Sequence, residues 1–169
     1  TRTTSSAASD VYKRQAKNGA RVILAEDKPR FGGSLLTSDV NIGNQTGVEW
    51  TEKIIAELKS MPNVTVKNRS QVFGYYDHNM LVMSERISDH LPKTQKYLPK
   101  QRLWYIRANE VLISSGSIER PLVFGNNDTP GVMLSSAAKE YMKVYGVLVG
   151  KKPLILSLIH ISEPTRQIV

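Results

Sequence analysis

Eight residues near the start, Gly19–Glu26 (GARVILAE), constrain this chain more than any other stretch. A short, β-branched apolar run ending in an acid reads as a strand buried on both faces, as strands are in parallel sheets. The preceding AKNG reads as the last turn of a helix closed by Gly19. Helix end, strand, acid is the order of the second half of a βαβ nucleotide-binding unit. On that order, the unit's first strand and its glycine fingerprint are expected upstream of Ala16.

The rest of the pattern continues an α/β chain. Ile54, Ile55, Leu58 and Met61 share one helical face, Thr46 and Glu49 have capping-box spacing, and Pro62 supplies a stop. One or two strands follow in NVTVKNRSQVFGYY. NMLVMSERIS and QRLWYIRANEVLISSG keep the β character across a polar connection from Asp89 to Lys100. Val111–Gly116 is expected to be a strand ending in small residues. GVMLSSAAKEYMKVYG is expected to be a helix, with Leu134, Ala138, Tyr141 and Tyr145 on one face and Gly146 as its stop. The fold expected is α/β: an incomplete doubly wound dinucleotide-binding domain over residues 16–125, lacking its first strand. An antiparallel β-meander is inserted at about 63–110. Residues 126–155 then supply a linker helix and the first strand of a second dinucleotide-binding domain.

That last strand, KKPLIL, should run into a glycine-rich turn, because a pyrophosphate needs close backbone approach. SLIHISEPTRQ follows instead, without a glycine. DVYKRQ, Asp10–Gln15, can be encoded by DNA whose reverse complement translates as LSLIHI, which is Leu156–Ile161. Inverted repeats at two edges are the mark of a transposon end, and these look like the mosaic ends used to prepare sequencing libraries. Residues 1–15 and 156–169 are therefore expected to be adapter-derived rather than native.

The formal charge of +8 drops to +6 without those ends. The basic residues are scattered, the longest pure basic run being Lys151–Lys152, which fits a solvated surface better than nucleic-acid or membrane binding. No apolar run approaches the roughly 20 residues of a membrane helix, and no signal-peptide pattern opens the chain. The absence of cysteine rules out disulfides and thiolate metal sites.

Candidate chemistry lies just past the first strand. A carboxylate at Glu26 or Asp27 can accept hydrogen bonds from the hydroxyls of an adenosine ribose. The same charge repels a 2′-phosphate, favouring NAD or FAD over NADP, although Lys28 and Arg30 soften the effect. In FGGSLL, Gly32 and Gly33 permit close approach and Ser34 can donate to a phosphate or ribose oxygen; a simple turn is the alternative. SSGSIERPL, with Ser115 and Gly116, resembles the strand end where two-dinucleotide-domain flavoproteins leave their first domain; a strand end with a turn is the alternative. Asp77 beside His78 suggests acid–base work, but neighbours in a strand face opposite sides and no nucleophile motif accompanies them. No catalytic residue and no metal ligand is assigned.

VILAEDKPRFGGSLL, MPNVTV, VFGYYDHN and ERPLVFGNNDTPGVMLSSAAKEYMKVYGV, in this order, resemble the α subunit of heterotetrameric sarcosine oxidases across Ala16–Ile155. The resemblance implies a cytoplasmic complex with β, γ and δ subunits that oxidatively demethylates sarcosine, passing the one-carbon unit to tetrahydrofolate or releasing formaldehyde. It implies NAD in this subunit and FMN and FAD elsewhere in the complex. Contacts to NAD would come from Glu26, Asp27, Lys28 and Ser34, with Val72 near the adenine. The fragment alone is expected to be inactive. A related opine-type or cyanide-forming amine dehydrogenase, and a non-catalytic dinucleotide-binding module, remain the alternatives.

Overall fold

The computed structural model describes residues 13–92 and 97–156, in two compact units that meet in sequence at Gly116/Ser117, ahead of the boundary expected near residue 125. Most of the two terminal strings read as adapter lies outside the described residues.

In the first unit, residues 13–17 are helical. Gly19 closes the turn at φ 82, its N–H donating to Ala16 O at 3.0 Å. Strand β1 (Val22–Ala25) pairs in parallel with β4 (Val64–Lys67), Val22 opposite Val64 and Ala25 opposite Lys67. Between them come a 3₁₀ turn (Gly33–Leu36), the two-residue strands β2 (Asn41–Ile42) and β3 (Gln45–Thr46), and helix α1 (Gly47–Ser60).

Helix α1 begins at the expected capping box: Thr46 Oγ1 accepts from Glu49 N–H, and Glu49 Oε2 accepts from Thr46 N–H at 2.9 Å. Its buried seam is Gly47, Thr51, Ile54 and Leu58, spaced as one helical face. The helix packs on β4 and on the 3₁₀ turn, whose Leu35 is also buried. Each fully buried aliphatic side chain here contributes about 1.5–3 kcal/mol. Asn63 Nδ2 donates to Ala16 O (2.8 Å) and Ala20 O (2.7 Å), fastening the end of the βαβ unit to its start.

Strands β5 (Ser70–Tyr76), β6 (Met80–Arg86) and β7 (Gln101–Arg107) form an antiparallel meander in the order β5-β6-β7, with a register shift between Val72 and Gly74. The meander is narrower than the 63–110 expected, because Val64–Lys67 belongs to the parallel pair. One carboxylate joins the two sheets. Glu85 on β6 accepts from Lys67 Nζ on β4 (2.9 Å) and from Trp104 Nε1 on β7 (2.7 Å), while Lys67 Nζ lies 4.9 Å from the Trp104 ring centre. Burial raises the Glu85 carboxyl, but the hydrogen bonds from Lys67 and Trp104 outweigh it and leave the group below its ordinary value.

Val111–Gly116 is not a strand, contrary to the sequence expectation, and neither is the stretch from Lys151 to Ile155. A strand exists only where a neighbour takes its N–H and C=O groups, and no strand flanks either stretch among the described residues. In the second unit, helix α2 (Ser135–Tyr145) forms within the expected stretch but begins at Ser135, leaving residues 131–134 outside it, and stops at Gly146 as expected. None of the described residues of this unit is buried, so the Leu134–Ala138–Tyr141–Tyr145 face exists without a core to enter.

Candidate functional site

Because β1 and β4 are parallel, their C-terminal ends lie side by side, and the loops that leave them can be laced together. Glu26 N–H donates to Lys67 O (2.9 Å), Ser70 N–H to Glu26 O (2.8 Å), and Arg69 N–H to Lys28 O (3.1 Å). Asn68 Nδ2 adds a bond to Pro29 O at 2.9 Å. The acidic loop after β1 is thereby held in place by the turn after β4.

Glu26 is half-buried at this tip, and Asp27 beside it is exposed. The Glu26 carboxyl is pushed up from 4.5 to about 7, first by burial and then by a hydrogen bond shared with Asp27. The Lys28 N–H, donating to Glu26 Oε1 at 3.2 Å, opposes the shift. A carboxyl so raised is short of hydrogen-bond donors in the folded protein, and ribose hydroxyls are donors. The group can accept from them once ionised.

Gly32 and Gly33 have φ of 125° and 50°, so both stand in backbone that favours glycine. A Cβ on Gly32 would lie 3.2 Å from Leu36 Cγ and 3.4 Å from Thr51 Cγ2. The pair therefore makes a turn that packs on α1. Ser34 in that turn is exposed, as is Lys28. Arg30 is turned away from the acids: its Nη2 pairs with Glu52 Oε1 on α1 at 3.1 Å.

The remaining expected residues are not gathered here. Val72 is exposed on β5 opposite Met83, and Ser115 and Gly116 lie exposed in the irregular stretch after β7, with no hydrogen bond to β1. Asp77 and His78 occupy the β5–β6 hairpin turn, where His78 has φ 58 and Tyr75 Oη donates to Asn79 Oδ1 at 2.7 Å. They serve the turn. The described residues contain no group of His, Cys, Asp and Glu arranged to hold a metal. No helix among them is long and apolar enough to cross a membrane.

Two residues absent from the sequence reading do belong to this corner. Arg69 and Arg86 line a cleft of about 330 Å³ with Asp27, Gln71, Ser84 and Gln101. A signal for the first was present: two adjacent parallel strands end side by side, so Arg69 just past β4 stands beside Asp27 just past β1.

A parallel strand pair bridged by a helix, with acids at its tip and an antiparallel meander in the same unit, makes this an α/β protein. L-proline dehydrogenase from P. horikoshii shares the fold, with a TM-score of 0.58 and 22% identity over 76% of this chain and 24% of that one. No protein-family model matches. The α subunit of sarcosine oxidase from Rhizobium meliloti (strain 1021) is 42% identical over 139 residues, 82% of this chain and 14% of the relative. The corresponding subunit from Corynebacterium sp. (strain P-1) is 37% identical over 142 residues, 83% of this chain and 15% of the relative. Over the aligned residues, the chain belongs to the sarcosine oxidase α-subunit family. It spans about one seventh of the length of those relatives.

Proposed function

We propose that this chain is the NAD-binding segment of the α subunit of a multi-subunit flavoprotein that oxidatively demethylates sarcosine. The observation that carries the proposal is the half-buried Glu26 beside Asp27 at the tip of β1, in a chain 42% identical to a sarcosine oxidase α subunit. Once ionised, Glu26 accepts from the adenosine ribose hydroxyls with Asp27 beside it, and Lys28 N–H fixes the carboxylate's orientation. The exposed Ser34 hydroxyl donates to a ribose or phosphate oxygen. Val72 lies toward the adenine, and the Ser115–Gly116 strand end approaches the cofactor once it has neighbours to pair with. Bound NAD supplies a hydride acceptor; this segment's own residues hold the adenosine half and move no substrate proton.

The complete complex then carries FMN and FAD, uses tetrahydrofolate as co-substrate and includes β, γ and δ subunits. It lies in the cytoplasm, with the amine oxidised outside this segment. The doubly wound arrangement follows on the same terms: β1 hydrogen-bonds to β4 alone among the described strands, which leaves its other edge for the unit's first strand. The relatives align over 139–142 residues, about the length of Ala16–Ile155, which supports a native segment bounded by adapter-derived ends.

The test is nucleotide analysis of the intact subunit purified with its partners. One NAD per α subunit, lost or weakened in Glu26→Gln, is the expected result. A complex with full sarcosine oxidation and no bound dinucleotide would refute it.

A further inference from the structure

An acid at a strand tip can meet a ribose only if its backbone is held still, and two bonds hold Glu26. Its N–H donates to Lys67 O at 2.9 Å, and its own O accepts from Ser70 N–H at 2.8 Å. Lys67 is the last residue of β4 and Ser70 the first of β5. The short turn between those strands therefore clasps Glu26 at both of its peptide groups.

Both ends of that turn rest on one side chain to which the dinucleotide reading gives no task. Glu85 on β6 stands opposite Ser70 in the antiparallel register, and its Oε1 accepts from Lys67 Nζ at 2.9 Å. Its Oε2 accepts from Trp104 Nε1 at 2.7 Å, with Arg102 Nη1 3.7 Å away. Side-chain exposure is only 22% for Lys67 and 14% for Glu85, which separates this pair from the screened surface ion pairs that contribute little. Lys67 Nζ and Arg102 Cζ also lie 4.9 and 5.6 Å from the Trp104 ring centre, so the indole braces both cations. Ser70 is 1% exposed and has no room to shift unless the strand opposite moves with it. Without the Glu85 charge, the Lys67 ammonium loses its partner in a mostly buried position, which is costly. It then turns toward water and takes with it the end of β4 that Glu26 N–H binds.

We propose that Glu85 is a positioning residue for the dinucleotide, acting through Lys67 and Ser70 to hold Glu26 in the orientation that meets the adenosine ribose. The proposal rests on the dinucleotide reading above and deepens it by naming the group, on a different sheet, that sets the geometry of the acid.

The experiment is calorimetric titration of the intact subunit, assembled with its partners, with NAD at pH 6 and pH 8. The parent is compared with Glu85→Gln, Lys67→Met, Glu26→Gln and the double variant Glu26→Gln/Glu85→Gln, with thermal melts to confirm folding. Glu85→Gln and Lys67→Met sever the same pair, so either one that folds decides the outcome. Each is expected to weaken NAD by about fivefold or more at pH 8 and to flatten the rise in affinity through about 7. A merely structural loss would lower the melting temperature and leave that rise in place. Added to Glu26→Gln, the Glu85 substitution is expected to cost less than about a further twofold, because a residue that acts through Glu26 then has nothing to act on. Parent-like NAD affinity in either folded variant, or the full Glu85 loss repeated on top of Glu26→Gln, overturns the positioning role and leaves the NAD site standing. A folded parent complex that binds no NAD overturns the dinucleotide reading and the positioning role with it.

Discussion

Glu26 is half-buried beside Asp27 with its carboxyl raised to about 7, so near neutrality it exists both as an acceptor and as a donor. The groups facing it are Asp27, the Lys28 N–H and the turn bearing Arg69; Lys67, the nearest lysine on β4, is engaged by Glu85. NAD offers hydroxyl donors, so its affinity is expected to rise with pH through about 7 and level off above it. Glu26→Gln is expected to cost about tenfold or more in NAD affinity at pH 8 and less at pH 6, read by calorimetric titration of the intact subunit. The same group sets a stability trend. Between 4.5 and about 7 the folded state holds the Glu26 proton that the unfolded state has released, so stability falls as pH rises across that window. Urea midpoints should show this slope in the parent and lose it in Glu26→Gln.

At the scale of elements, the two helices start by different means. Helix α1 carries its cap in its own sequence, three residues apart, and the capping box was legible as a spacing. Thr46→Ala should cost about 1 kcal/mol in urea unfolding of the intact subunit. Leu58→Ala, at a fully buried position, should cost about 2–5 kcal/mol. Helix α2 is capped from a distance: Glu119 Oε1 accepts from Ser135 Oγ (2.9 Å) and Oε2 from Ser136 N–H (2.8 Å). The Ser136 N–H and the hydroxyls of Ser136 and Ser135 pull the Glu119 carboxyl down to about 2. A lowered acid stabilises above its unfolded value and loses that contribution as pH falls, here from 4.5 towards about 2. The Ser136 amide shift should follow that titration, and Glu119→Gln should abolish it. Helical periodicity gave α2 its place and its stop, but a partner 16 residues upstream leaves no local mark, and the helix starts at Ser135 rather than at Gly131.

At the scale of the whole molecule, what matters is which faces have been covered. β1 has one strand neighbour among the described residues, Val111–Gly116 and Lys151–Ile155 have none, and α2 buries nothing. Burial and strand pairing are the terms that offset chain entropy, and both are thin here. The 169-residue chain by itself is therefore expected to be poorly soluble or to melt without a cooperative transition, whereas the intact subunit should melt cooperatively. A sharp melt and dispersed amide spectra from the chain alone would contradict this.

Taken by itself, the sequence determined most of what depends on near neighbours: the β-branched run of β1, the seam and cap of α1, the strands of the meander, the stop of α2, and the acids at Glu26 and Asp27. Each is a matter of spacing along the chain, and spacing survives in a string of letters. Tertiary structure decided what depends on distant residues meeting. It gave Val64–Lys67 to the parallel pair, turned Arg30 toward Glu52, and set Gly32 against Leu36 and Thr51. It withheld strand pairing from Val111–Gly116 and brought Arg69 and Arg86 to the side of Asp27. The reason is physical: a hydrogen-bond ladder, an ion pair or a cleft needs two partners in space, and only the folded chain says which two.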